Sequence, residues 1–293
     1  MKKLTVFTPT YNRAHLLPRL YNSLRNQTSK DFIWLIIDDG SSDGTDELIQ
    51  KWQAESKIEI QYHYKKNGGM HTGHNAAYKI IKTELNVCID SDDFMPPGAV
   101  QQIIKQWNSV PNKKNIAGII GLDADENGKI IGTKIPLHLH AGTLTDLYKK
   151  QGVTGDKKVV LQTEIVRQYP AYPEFENEKL VPLGILYLMI GQDFNFVYSN
   201  EVFCIVEYQQ DGSSSSILKQ YFQSPRGFAY ARTVQKRFSD SLLEDLKNSM
   251  HIGISALVTK DYSLLRLDPK KWYNYLMFPL AMGAHAVLKQ KVK

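Results

Sequence analysis

The pattern of the first third of the chain predicts an α/β fold built on a doubly wound, mostly parallel sheet. Three observations carry that expectation. Apolar, β-branched runs alternate with helically spaced ones in the order βαβαβαβ, which demands a parallel sheet with right-handed crossovers. Phe32-Ile33-Trp34-Leu35-Ile36-Ile37 is apolar throughout, as a strand covered on both faces should be. Turn-forming and acidic residues collect directly after the strands, on the edge where such sheets bind ligands.

Leu4 to Thr8 reads as the first strand, ended by Pro9 and the turn-prone Tyr11-Asn12-Arg13. Leu16, Leu17, Leu20 and Leu24 are spaced for a helix reaching Asn26. After the second strand, Asp38-Asp39-Gly40-Ser41-Ser42-Asp43-Gly44 is a loop, and Thr45 can N-cap a helix holding Leu48, Ile49 and Trp52. Ile58 to Tyr62 alternates as a third strand. Asn67-Gly68-Gly69-Met70-His71-Thr72-Gly73 is a glycine-rich loop ahead of a helix with Ala76, Ala77, Ile80 and Ile81. The fourth strand, Asn86 to Ile89, delivers Asp90-Ser91-Asp92-Asp93.

Beyond Pro96-Pro97-Gly98 the pattern becomes mixed. Helices are expected over 99–107, over 144–150 and around Leu180, Leu183 and Leu186; short strands are expected over 116–122, 130–135, 159–162, 196–198 and 202–206. Asp211 to Ser216 reads as a boundary loop, followed by helices over 221–238, 242–257 and 272–288. The chain therefore divides into 1–216, an α/β domain, and 217–293, a helical region.

A length of 293 residues with 42% hydrophobic and 11% aromatic content supports a sizeable core and excludes disorder. The opening apolar run is too short for an export leader. Cys88 and Cys204 lie in apolar runs and read as buried thiols, so a reducing cytoplasm is the expected setting. The net charge of +6 is uneven: residues 217–293 hold 13 Lys/Arg against 5 Asp/Glu, whereas the rest is near neutral. Such a basic tail suits an anionic partner.

Several chemistries are excluded by pattern. Gly68 and Gly73 have the glycine spacing of a phosphate loop, but His74-Asn75 follow where Lys and Ser or Thr are required. No G-x-G-x-x-G follows the first strand, no G-x-S-x-G is present, and His63, His71 and His74 lack zinc spacing. The positive signal is Asp90-Ser91-Asp92-Asp93. Three carboxylates in four residues repel one another unless a positive charge neutralises them. A hard divalent cation holding phosphates does so with one or two carboxylates; the plain alternative is a capped turn.

Taken together, Thr8-Pro9-Thr10-Tyr11-Asn12-Arg13, Ile37 to Thr45, Asn67-Gly68-Gly69, Asn75 and Asp90-Ser91-Asp92-Asp93 resemble the family 2 glycosyltransferases, which have the GT-A fold. The resemblance is close over 3–105 and loose over 106–210. It implies an inverting glycosyltransferase with a nucleotide-sugar donor, UDP-linked, and a glycan or lipid-linked acceptor in bacterial surface polysaccharide synthesis. Residues 1–105 would be the nucleotide-sugar-binding half and 106–216 the acceptor half. The family's nucleoside contacts fall on Thr8, Thr10, Arg13 and Asp39, with Asp39 able to accept from a uracil N–H. Lys66, Gly69 and His71 lie in the loop that the resemblance places near the diphosphate, and Asn75 is implied as a further nucleotide-sugar contact; His71 either donates to a phosphate or is a solvated loop residue.

The resemblance also implies Mn²⁺ or Mg²⁺ at the D-x-D element. Asp92 is the expected direct ligand, with Asp90 as second ligand or as a contact to ribose and sugar hydroxyls, and Asp93 in support. The implied general base falls in Pro173-Glu174-Phe175-Glu176-Asn177-Glu178-Lys179, where Glu178-Lys179 stands in place of the usual Glu-Asp pair. Glu178, expected at the start of a helix whose N-terminal dipole keeps it ionised, is the first choice and Glu176 the second. Two other readings compete. One is a nucleotidyltransferase acting on a sugar phosphate, which would need a glycine-rich basic loop after the first strand. The other is a non-catalytic nucleotide- or glycan-binding module.

The segment 270–293 combines Trp272, Tyr273, Tyr275 and Phe278 with Lys270, Lys271, Lys289, Lys291 and Lys293. Pro279 makes it a poor membrane span. It either lies on an anionic membrane surface or docks on the core. The first would place the protein in the cytoplasm, peripheral on the inner face of the membrane, and no nucleic-acid partner is expected.

Overall fold

A computed structural model describes residues 2–207, 217–267 and 270–292. The boundary loop expected over Asp211 to Ser216 lies outside the described residues, as does Lys293. The chain opens with β1 (Leu4–Thr10), α1 (Leu17–Arg25), β2 (Phe32–Asp38), α2 (Thr45–Glu55), β3 (Ile60–Tyr64), α3 (Met70–Ile80) and β4 (Leu85–Cys88). It continues with α4 (Ala99–Ser109), β5 (Ile116–Ala124), β6 (Ala141–Gly142), α5 (Leu144–Lys149), β7 (Lys157–Gln162), α6 (Thr163–Val166), α7 (Gly184–Asp193) and β8 (Asn195–Ile205). Helices α8 (Ile217–Gln223), α9 (Pro225–Arg237), α10 (Leu242–Thr259) and α11 (Lys271–Val292) follow, with a 3-10 turn at Tyr262–Arg266.

Among the described residues the eight strands form one sheet in the order β3-β2-β1-β4-β7-β5-β8-β6. The β3-β2-β1-β4 half is parallel throughout, and antiparallel pairing begins where β7 joins β4. Every residue of β1 is buried, because helices cover both faces. On one face Leu4, Val6, Trp34 and Ile36 pack with Leu20 and Tyr21 of α1, Trp52 of α2 and Trp107 of α4. There Tyr21 and Trp52 stack with ring centroids 4.4 Å apart. On the other face Phe7 meets His74 of α3 edge-on at 5.0 Å.

The chain forms two compact units. The first holds the sheet and α1 to α6; the second gathers Tyr172–Met189 with the C-terminal helices, and the chain passes between them within α7. In the second unit Tyr221, Phe228, Ile254 and Ala281 form one apolar cluster, and Ala229, Ile252, Ala256, Leu264 and Leu265 form another.

Some sequence expectations are corrected. Ile130–Ile135 is not a strand; only an isolated bridge joins Ile130 to Ala124. The two short strands expected around 196–206 are one strand, β8, whose pairing with β5 slips at several points. The helix expected over 221–238 breaks at Ser224, because Pro225 lacks the N–H that would continue it. Thr45 is the first helical residue of α2 and Gly44, with φ of 83°, holds the cap position.

Candidate active site

The parallel register brings the loops after β1, β2, β3 and β4 to one edge: Thr10 pairs with Asp38, Asp38 with Tyr64, and Phe7 with Cys88. The first two loops are stitched together by short hydrogen bonds. The Asn12 N–H donates to Ser41 Oγ at 2.9 Å, the Ser42 N–H to Asn12 Oδ1 at 2.8 Å and the Ala14 N–H to Asp43 Oδ2 at 2.8 Å. Asp43 is thus the tie between loops, and it also accepts from the Thr45 hydroxyl at 2.6 Å.

Asp39 organises the glycine-rich loop. Its carboxylate accepts from the Gly68 N–H at 2.9 Å, the Gly69 N–H at 2.7 Å and Lys65 Nζ at 2.5 Å. Gly69 has φ of 93°, a left-handed conformation that a side chain would strain. Gly40, at φ of 90°, sits so close to the same loop that a Cβ would lie 3.0 Å from the Asn67 nitrogen. Lys65 was not singled out in the sequence. It also donates to Thr72 Oγ1 at 2.7 Å, fixing the loop to the first turn of α3.

The predicted loop residue His71 is not solvated: α3 already begins at Met70, and His71 is buried in its first turn, with Asn75 buried one turn on. Thr8 is likewise placed in the core, where its hydroxyl accepts from the Trp34 indole at 3.0 Å. It supports the edge without reaching it. Thr10, the last residue of β1, does end at the edge; its hydroxyl is buried and has no hydrogen-bond partner among the described residues.

The acidic loop divides by direction. Asp92 is partly exposed and paired with Arg13, whose Nη1 lies 2.9 Å from Asp92 Oδ2 and 3.2 Å from Ser91 Oγ. Asp90 follows β4, with Cys88 Sγ at 3.7 Å from its Oδ1. Asp93 turns inward, accepting from the Glu207 N–H at 3.3 Å, with Cys204 Sγ at 3.6 Å and Lys158 Nζ at 4.0 Å. Burial pushes Asp93 up to about 7, and the neighbouring Asp90 and Asp92 charges add to the shift while Lys158 opposes it. Burial works against the Lys158 charge, but Asp123, Asp93 and Asp90 outweigh it and hold this ammonium well above its ordinary range.

Lys158 and Asp123 are the residues that sequence reasoning missed. Asp123 is buried at the end of β5, its Oδ1 has no hydrogen-bond partner among the described residues, and burial raises its carboxyl. The available signal was weak: a lysine and an aspartate at strand positions otherwise occupied by apolar residues.

Among the described residues no three or more His, Cys, Asp or Glu side chains converge as a ready-made metal cage. A Mg²⁺ or Mn²⁺ site completed by phosphates and water does not need one. The carboxylate oxygens of Asp90 and the partly exposed Asp92 are the hard donors that such a cation takes.

Glu176 and Glu178 lie in the second unit. Glu176 is exposed. Glu178 is buried, and its carboxylate accepts from the Arg226 N–H at 3.0 Å and the Gly227 N–H at 2.9 Å, capping the N-terminus of α9. The helix expected to begin at Glu178 begins instead at Gly184. A helix dipole does face Glu178, but it belongs to a different helix.

The model of glycosyl transferase family 2 matches residues 5–158, just over half of the chain, and the chain belongs to that family. It is 34% identical over 104 residues to a chondroitin synthase of Pasteurella multocida, covering 36% of this chain and 11% of that protein. It is 33% identical over 113 residues to GalNAc(5)-diNAcBac-PP-undecaprenol beta-1,3-glucosyltransferase of Campylobacter jejuni, covering 37% and 35% of the two chains. The matched stretch is thus about a third or less of these relatives' length. Among solved structures, TarS 1–349 of S. aureus in complex with UDP-GlcNAc superposes with a TM-score of 0.59 at 16% identity, covering 98% of this chain and 90% of that one. The mannosyltransferase PcManGT of Pyrobaculum calidifontis, in complex with GDP-Man and Mn²⁺, superposes with a TM-score of 0.56 at 15% identity, covering 97% and 75%. The fold is GT-A, followed by C-terminal helices. Family membership leaves the nucleotidyltransferase reading without support.

Proposed function

We propose that this chain transfers a sugar from a nucleotide-sugar donor, UDP-linked, to a hydroxyl of a glycan or lipid-linked acceptor, with inversion, in surface polysaccharide synthesis. The observation that carries the reading is the gathering of Thr10, Arg13, Asp39, the Gly68-Gly69 amides and Asp90 to Asp93 on one sheet edge. The relatives support it, since their names describe polysaccharide synthases and a polyprenol-linked glucosyltransferase.

Each part of the edge has a proposed task. Thr10 and Asp39 hold the nucleoside, and Asp39 pre-forms the glycine loop beside it. Gly69, His71 and Asn75 flank the diphosphate. Asp92, with Asp90 beside it, would hold Mn²⁺ or Mg²⁺, which would neutralise charge on the departing nucleoside diphosphate. Arg13 balances Asp92 before the donor arrives and gives the diphosphate a second cation. Asp93 and Lys158 keep the loop in shape from beneath.

Removal of the acceptor proton requires a general base, here proposed to be a carboxylate. Glu178 and Glu176 remain the two candidates of the acidic segment. Both Glu178 oxygens already cap α9, which favours the exposed Glu176. The proposed setting is cytoplasmic and peripheral to a membrane; no helix among the described residues is long and apolar enough to cross one.

The test is nucleoside diphosphate release from a panel of nucleotide sugars with Mn²⁺ and a polyprenol-linked or oligosaccharide acceptor. Release should occur with a single nucleotide class and fall about a hundredfold or more in Asp92→Ala. Unchanged turnover in that variant would remove Asp92 from the metal site.

A further inference from the structure

Helix α11 uses only half of its surface within the second unit. Asn274 and Ala281 are fully buried, and Phe278 packs against the cluster of Ile252, Ala256, Leu264 and Leu265. Lys236 Nζ donates to Asn274 Oδ1 at 2.7 Å, and Asn274 Nδ2 donates to the Leu265 carbonyl at 3.0 Å. Gly253 permits the close approach of Ala281, since a Cβ there would meet the Ala281 Cβ at 2.7 Å. The docked face of α11 is therefore tight.

The opposite face is apolar and open. Trp272 is 73% exposed, Leu276 66%, Leu280 61% and Val287 56%, with Tyr275 and Met282 exposed on the flanks. At about 100° per residue Trp272, Leu276, Leu280 and Val287 lie on the far side of the helix from Asn274, Phe278 and Ala281, while Tyr275 and Met282 border the docked face. A stripe of this kind along a water-facing helix marks an interaction surface.

Charge identifies the partner. Residues 270–293 contain five lysines and no acidic residue. Lys271 stands exposed at one end of the stripe, and Lys289 and Lys291 at the other. A protein partner would need a groove that is apolar along its length and acidic at both ends. An anionic bilayer supplies that arrangement without design: acyl chains for the stripe, headgroups for the lysines, and an interfacial layer that suits Trp272 and Tyr275.

We infer that α11 is a membrane-surface helix, lying in the plane of an anionic bilayer with its Trp272–Val287 stripe among the lipid chains. The inference goes beyond the transferase reading and does not rest on it. A chain with another activity would dock in the same way, and a transferase without the helix's affinity would still turn over soluble donor.

The experiment is flotation of the full chain with vesicles of phosphatidylcholine alone or mixed with phosphatidylglycerol. Three proteins are compared: the parent, a Leu276→Ser/Leu280→Ser variant, and a Lys289→Gln/Lys291→Gln variant. The parent should float with the phosphatidylglycerol vesicles, and less so at high salt. The leucine variant should bind about tenfold or more weakly, and the lysine variant should lose its preference for the anionic vesicles. All four positions are exposed, so unfolding midpoints should match the parent's. A parent that stays unbound, or a leucine variant that binds equally well, overturns the inference. It is also overturned by a concentration-dependent dimer, seen by light scattering, that the leucine substitutions convert to monomer without any vesicle binding. That outcome would make a second copy of the chain the occupant.

Discussion

Asp92 and Asp93 are neighbours in sequence but lie in opposite settings. Asp92 faces outward with Arg13 as partner, whereas Asp93 is buried above Lys158. A carboxyl raised from about 4 when unfolded to about 7 when folded binds a proton in the folded state across that window. Its effect is to erode stability as pH rises from about 4 to about 7, with the full cost present above 7. Asp93→Asn removes the titration, so the variant should gain on the parent across that window by on the order of 4 kcal/mol. Urea unfolding at a series of pH values measures the difference; a difference that stays flat with pH would mean Asp93 titrates normally. Glu178 gives a second residue-scale expectation. Because its carboxylate caps α9, Glu178→Gln should lower stability by about 1–2 kcal/mol. A variant of parental stability that had lost all transfer would instead restore Glu178 as the base.

At the scale of elements, the parallel half of the sheet was legible because each strand is a continuous apolar run and each crossover helix has its own spacing. The edge was legible for the same reason, since strand order alone brings Asp39 and Asp90 to Asp93 together. What the sequence hid was which partner each side chain meets. Nothing in Thr8-Pro9-Thr10 says that the first threonine is taken up by Trp34 in the core while the second ends at the edge. Lys158 was hidden because it comes from an antiparallel strand far along the chain, and its meaning depends on Asp93 and Asp123 lying near it. Glu178 misled because a helix N-terminus does face it, one supplied by Arg226 and Gly227 and not by the residues that follow it. That junction is closely fitted: a Cβ on Gly227 would lie 2.0 Å from the Leu180 carbonyl oxygen. Gly227→Ala should therefore cost about 1–3 kcal/mol, read as a lowered urea midpoint. A neutral result would show that α9 shifts freely.

At the scale of the whole molecule, two chemistries are kept in different parts of the chain. The near-neutral first unit carries the acidic edge, and the basic excess resides in the C-terminal helices. The first suits a diphosphate with its cation, and the second suits an anionic surface. The central claim is that the strand-end edge binds a nucleoside diphosphate together with a divalent cation. Titrating UDP into the full chain by calorimetry, with and without Mn²⁺, tests it most directly. Binding should be at least about tenfold tighter with Mn²⁺, Asp92→Ala should abolish that gain, and saturation at a hundredfold over Kd should stabilise the fold by about 2.7 kcal/mol. If neither UDP nor GDP binds with Mn²⁺ present, or if Asp92→Ala leaves the Mn²⁺ gain intact, the edge is not the donor site described here.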